Sequence, residues 1–182
     1  MPYLSVFDEI QSVCAKIRAD ISEHVLLVFL GQSKLEHYEN GKLVRSYTIS
    51  AGKNPSSAKE GSNGTPPGLH VICEKIGAGE PIDTVFVSRV STGHTWQELK
   101  AAGEALEKAR VTSRILRLKG LEEGVNSGPG IDSYERYIYF HGTVFEDRIG
   151  EPTSAGCITL VNKEMVELFD SVPVGTLVYI KA

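Results

Sequence analysis

The chain has 182 residues, of which 41% are hydrophobic and 23% charged, and a formal net charge of −4. This is the profile of a globular protein with a sizeable core, not of a disordered chain. A sequence pI near 5.8 argues against a nucleic-acid footprint, which needs a net basic surface. The longest apolar run, Val25 to Leu30, falls far short of the roughly 18 residues of a transmembrane helix.

Taken in order, Val6, Phe7, Ile10, Val13, Cys14, Ile17 and Ile21 recur at three- and four-residue steps and predict an amphipathic N-terminal helix within residues 1–22. His24 to Phe29 reads as a strand, Gly31-Gln32-Ser33 as a turn, and Lys34 to Tyr38 and Leu43 to Ser50 as a hairpin closed by Asn40-Gly41. Residues 52–68 form a polar loop ending in Thr65-Pro66-Pro67-Gly68, which stiffens the entry to a strand over Leu69 to Glu74. Asp83 to Arg89 is the next strand candidate. Trp96, Leu99, Ala102, Gly103 and Leu106 predict a helix between Thr95 and Ala109, and Val111 to Leu118 another strand. The basic residues Arg110, Arg114, Arg117 and Lys119 read as a solvated face. After a Gly/Asn/Ser/Pro loop, Arg136 to His141 alternates, with Tyr137, Tyr139 and His141 on one face and Ile138 and Phe140 on the other. A short apolar run over Cys157 to Val161 follows. Asn162 is placed to cap a helix from Lys163 to about Ser171, and Leu177 to Ile180 closes as a strand.

Many short strands with hairpins, three helices and no βαβ repetition predict a mainly β protein, a curled and mostly antiparallel sheet with accessory helices. The chain reads as one domain over 1–182, with residues 92–135 as an insertion on the sheet. Three cysteines make no disulfide framework, and no two lie at metal-ligand spacing. Cys14 and Cys73 read as buried small hydrophobes. His24, His37, His70 and His94 read as surface or structural residues.

The chemistry concentrates near the end, where His141-Gly142 precedes Ser154-Ala155-Gly156-Cys157-Ile158. A cysteine nucleophile needs a nearby base, because the thiolate attacks and the neutral thiol barely does. A small-residue turn exposes the sulfur and offers backbone N–H groups to an oxyanion. This pairing points to acyl transfer through a thioester. The order, His before Cys at short range, argues against a papain-like hydrolase.

These motifs, together with Tyr47 to Lys53, Thr65 to Gly68, Ile149 to Pro152 and Val172 to Thr176, resemble the catalytic domain of the L,D-transpeptidases (YkuD-type) over residues 25–182. The resemblance implies a curled β-sandwich or barrel. It implies a reaction on peptidoglycan stem tetrapeptides, with no metal or cofactor, in which Cys157 attacks the third-residue carbonyl and His141 serves as base. D-alanine leaves, and an amine resolves the thioester to a 3→3 cross-link. Gly156 and Cys157 N–H are the expected oxyanion donors. Gly142 is expected to let substrate or the Cys157 loop approach the His141 backbone, Ser154 to bond the turn or orient the imidazole, and Thr159 to position substrate or loop; Tyr139, on the His141 face, reads as a packing residue or a flank of the substrate. Two positions depart from the family pattern: Ala155 stands where His or Lys is common, and Thr159 where Arg is common. An L,D-carboxypeptidase using water, or a wall-binding module without catalysis, are the alternatives. The resemblance places the work in the periplasm or cell envelope. Met1-Pro2-Tyr3-Leu4 shows no basic-then-apolar leader pattern, so export by another route, a removed leader and a cytoplasmic site all stay open. No feature assigns an oligomeric state.

Overall fold

A computed structural model describes residues 5–105 and 111–182. Among these residues ten strands form one curled sheet: β1 (His24–Phe29), β2 (Lys34–Glu39), β3 (Lys42–Thr48), β4 (Gly68–Ile76), β5 (Thr84–Val87), β6 (Val90–Thr95), β7 (Val111–Gly120), β8 (Tyr139–Thr143), β9 (Ile158–Leu160) and β10 (Leu177–Lys181). The order is β3-β2-β1-β10-β4-β7-β5-β6, and β8 branches from β7 to carry β9. Pairing is antiparallel except for β1–β10 and β8–β9. No helix among the described residues is long and apolar enough to cross a membrane.

Helices cover both faces of the central strands, which is why β1 is a continuous apolar run instead of an alternating one. Val25 and Leu27 pack with Ile10 and Cys14 of α1 (Val6–Ile17), while Leu26 and Val28 face the main core with Met165, Leu168 and Phe169 of α3 (Asn162–Ser171). Helix α1 starts on a capping box in which Ser5 and Asp8 bond each other's backbone N–H. Glu9 on α1 also takes the Lys181 ammonium at 2.8 Å and the Tyr179 hydroxyl at 3.2 Å.

The Asn40-Gly41 turn forms as the sequence implies, with both residues at positive φ. The candidate strand from Asp83 to Arg89 instead ends at Val87. Ser88 and Arg89, at φ 48° and 70°, close a second two-residue hairpin between β5 and β6 without the glycine that normally announces one. The helix expected over 95–109 is α2 (Trp96–Ala101); Gly103 turns left-handed at φ 82°, and residues 106–110, with Leu106 and Arg110, lie outside the described residues. Residues 92–135, read as an insertion on the sheet, contain β7, which pairs with β4, β5 and β8. Arg114 and Arg117 are buried rather than solvated. The Arg117 guanidinium lies 3.4 Å from the Tyr134 ring centroid and bonds the Tyr134 carbonyl at 3.1 Å.

Asn162 does not cap α3 with its side chain; Val161 holds the cap position. Instead the Asn162 side chain is buried between β7 and β8. Its Oδ1 accepts from the hydroxyls of Thr112 and Ser113, each at 2.6 Å, and its Nδ2 donates to the Thr143 carbonyl at 2.9 Å. The Asn162 N–H goes to the Glu146 carboxylate at 2.5 Å, a charge-assisted bond at the helix start.

Candidate active site

Strands β8 and β9 run parallel, with His141 opposite Thr159 and Phe140 opposite Ile158. The two-residue period of a strand sends Ile138, Phe140, Ile158 and Leu160 into the main core. It sends Tyr139, His141, Thr143 and Thr159 to the other face. Cys157 immediately precedes β9, two residues short of Thr159, and shares that face: it packs with Tyr139, Ile115 and Phe86. One strand across and two residues along is roughly 8 Å between Cα atoms, within reach of two converging side chains. Cys157, His141, Thr143, Ser154 and Thr159 line a cleft of about 470 Å³, with Lys53 and Arg148 also in its wall. Its described lining includes two cations and no carboxylate.

His141 is 7% exposed. Its Nδ1 lies 2.6 Å from the Gly142 carbonyl; a carbonyl only accepts, so the proton belongs on Nδ1 and Nε2 is the basic nitrogen. Burial pushes the imidazole down to about 4, with the Gly142 bond opposing. The Cys157 thiol is pushed up to about 11 by burial, against which the Tyr139 N–H and the Arg136 charge act. Both cleft groups are therefore neutral at rest, a thiol and an imidazole, with no standing thiolate–imidazolium pair.

The turn carrying Cys157 is held by Ser154 from within and by Thr65 from far along the chain. Ser154 Oγ donates to the Cys157 carbonyl at 2.5 Å and accepts from the Gly156 N–H at 3.0 Å; it shapes the turn and leaves the imidazole alone. The Gly156 N–H, one of the expected oxyanion donors, is engaged by this bond. Gly156 sits at φ 132°, where an added Cβ would lie 2.9 Å from the Gly64 carbonyl oxygen, so the turn requires glycine. Thr65 Oγ1 donates to the Gly156 carbonyl at 3.0 Å and accepts the Gly52 N–H at 2.9 Å. Gly142 differs from expectation: its missing Cβ makes room for Asn162 Oδ1 and the Thr112 carbonyl, not for substrate.

Tyr139 is buried, its hydroxyl accepting from Arg89 at 3.1 Å. Tyr137 leaves the expected alternation. It adopts φ 56°, exposes its ring beneath the Arg89 guanidinium at 4.5 Å, and presents its carbonyl to the Cys157 thiol at 3.4 Å. Thr159 lines the cleft while its backbone pairs with Ser50, and it supplies no charge. Ala155, exposed on the turn, supplies no polar group either. Sequence reasoning missed Arg136 and Asn162; Thr65 was visible only as part of Thr-Pro-Pro-Gly. Elsewhere, Glu23, His24 and Glu39 place potential metal-ligand atoms within 4.8 Å of one another, and none of them lines the cleft.

The family model of the L,D-transpeptidase catalytic domain (YkuD) matches residues 16–180. The chain belongs to this family. The YqjB protein of Bacillus subtilis (strain 168), provisionally named an L,D-transpeptidase, is 36% identical over 103 residues, covering 52% of this chain and 58% of that protein. The fold is shared with the L,D-transpeptidase (residues 123–326) of Xylanimonas cellulosilytica DSM 15894, at TM-score 0.55 and 20% identity over 89% of this chain and 62% of that one. It is also shared with L,D-transpeptidase 3 of Mycobacterium tuberculosis, solved in complex with a faropenem-derived adduct, at TM-score 0.54 and 15% identity over 88% and 60%. The chain thus spans about 60% of the length of the relatives it matches. This L,D-transpeptidase-family chain has a mainly β, curled sheet like theirs.

Proposed function

We propose that this chain catalyses acyl transfer on peptidoglycan stem peptides through a Cys157 thioester. The observation that carries the reading is that His141 on β8 and Cys157, just before its parallel neighbour β9, face one cleft whose described lining carries Lys53 and Arg148 and no carboxylate. With Arg148 paired to Glu151 at 3.1 Å, Lys53 is the described lining cation that favours peptides rich in carboxylates, as stem peptides are. In the reaction, the Cys157 sulfur bonds to the carbonyl carbon of the third residue while His141 Nε2 takes the thiol proton. Because both groups rest neutral, proton transfer accompanies attack. The Cys157 N–H, rather than that of Gly156, supports the oxyanion. Collapse expels D-alanine, whose amine takes the proton from His141. An acceptor amine then attacks the thioester, His141 removes its proton, and the thiol is restored. Stem peptides place this work in the cell envelope.

The test incubates purified tetrapeptide muropeptides with wild type and Cys157→Ala and weighs the products. Cross-linked dimers made by wild type alone are expected; tripeptides without dimers would make the enzyme an L,D-carboxypeptidase. No product from wild type, together with no covalent adduct of a carbapenem by intact mass, would leave a wall-binding module instead.

A further inference from the structure

We propose that Arg136 is a positioning residue for the nucleophile: its guanidinium clamps the loop over residues 57–64 onto the Cys157 turn and holds a fixed positive charge behind the sulfur. The inference rests on Cys157 being the nucleophile. Arg136 lies just before β8 and donates Nη1 to the carbonyls of Ser57 and Ala58, at 3.0 and 2.6 Å, and Nη2 to that of Gly64, at 2.9 Å. The same Nη2 lies 3.3 Å from where a Gly156 Cβ would be, and the same Gly64 oxygen 2.9 Å from it. Glycine at 156 is therefore what lets the clamp close against the turn. Three carbonyls accept from the guanidinium, but carbonyls are dipoles, so its full charge is left to act on its neighbours. Burial lowers the Arg136 pKa, and Cys157 and Glu60 oppose that shift; an arginine remains charged regardless.

The other groups near the sulfur do not replace this charge. His141 is neutral. Tyr139 is buried with its hydroxyl on Arg89. Thr159 carries none. Lys53 is exposed to water, and Arg148 is engaged by Glu151 at 3.1 Å. Arg136 is thus the cation that offsets burial at Cys157. Its fork explains why arginine stands here: a lysine could supply the charge but not three bonds in fixed directions.

The experiment measures iodoacetamide alkylation of the Cys157-containing peptide against pH by mass spectrometry, beside a thermal melt. It needs no peptidoglycan substrate, so it can succeed or fail independently of the transferase assay. Arg136→Gln is expected to move the alkylation profile up by about one pH unit, roughly tenfold slower at a fixed pH below the midpoint. Arg136→Lys should lose thermal stability with the fork yet stay within about threefold of the wild-type rate. A wild-type profile for Arg136→Gln, or equal slowing in both variants, would overturn the charge assignment. Should Arg136→Gln fail to fold, Glu60→Gln decides: removing the anion that partly offsets Arg136 should speed alkylation about twofold with an unchanged melt, and no change would overturn the proposal.

Discussion

The two halves of the candidate site are built differently. His141 sits mid-strand, with its neighbours on both sides fixed by sheet registers: Ile115 on β7 and Thr159 on β9. Cys157 sits outside any strand, on a turn held by Ser154, by Thr65 across 91 positions of sequence, and by the loop that Arg136 grips. A ladder spreads its load over many equivalent bonds. A turn held by a few polar contacts concentrates it, because losing one partner strands a buried group at about 1–3 kcal/mol. The His141 side is therefore the robust half and the Cys157 side the fragile one.

The sharpest way to break this comparison is to remove each reacting group. Cys157→Ala should abolish the carbapenem adduct with little change in the melt, whereas His141→Gln should slow acylation by about 10²–10⁴ and leave an adduct detectable by mass after long incubation. Adduct formation at wild-type rate in His141→Gln would sink the base assignment. A smaller effect is expected at the supports. Thr65→Val leaves the Gly52 N–H without its acceptor and the Gly156 carbonyl without its donor. It should cost about 1–3 kcal/mol in denaturant unfolding and slow Cys157 alkylation several-fold. Asn162→Ala strands the hydroxyls of Thr112 and Ser113. It should cost a similar stability but leave Cys157 alkylation near wild type, since its partners belong to the His141 side. If the two variants slow alkylation equally, the halves are not separable.

The division also tracks what the sequence could say. Helix α1, the Asn40-Gly41 hairpin and the inward face of Ile138 and Phe140 follow from local periods and turn chemistry, and so does the shared face of Tyr139 and His141. Ser88-Arg89 escaped because its turn uses neither glycine nor asparagine. Asn162 looked like a cap, since the residue type suits one, but its amide is claimed by two hydroxyls and a carbonyl that only the fold brings near. Ser154, Gly156 and Cys157 are adjacent in sequence, yet which N–H is free depends on a 3.0 Å bond inside their turn. Arg136 had no signal at all: its three acceptors lie 72 to 79 positions away, and no local pattern encodes such a contact.

The smallest expected effect separates His141 from His70, another of the buried histidines. His70 is fully buried, with Nδ1 on the Gly68 carbonyl at 3.0 Å and Nε2 against Ser133 Oγ at 2.9 Å. Burial pushes it down to about 4, as it does His141. Both are neutral when folded, while an unfolded histidine titrates near 6.5. The unfolded chain thus binds more protons between about 6.5 and 4, so stability is fully present above 6.5 and is lost as pH falls toward 4. His70→Gln should flatten part of that decline in a melt-versus-pH series. It should not move the acid limb of acylation, because both His70 nitrogens face inward partners and only His141 opens to the cleft. That limb should fall near the His141 value of about 4, well below an ordinary histidine. An acid limb near 6.5 would mean that His141 is solvated in the working enzyme, and the neutral pair at rest would have to be given up.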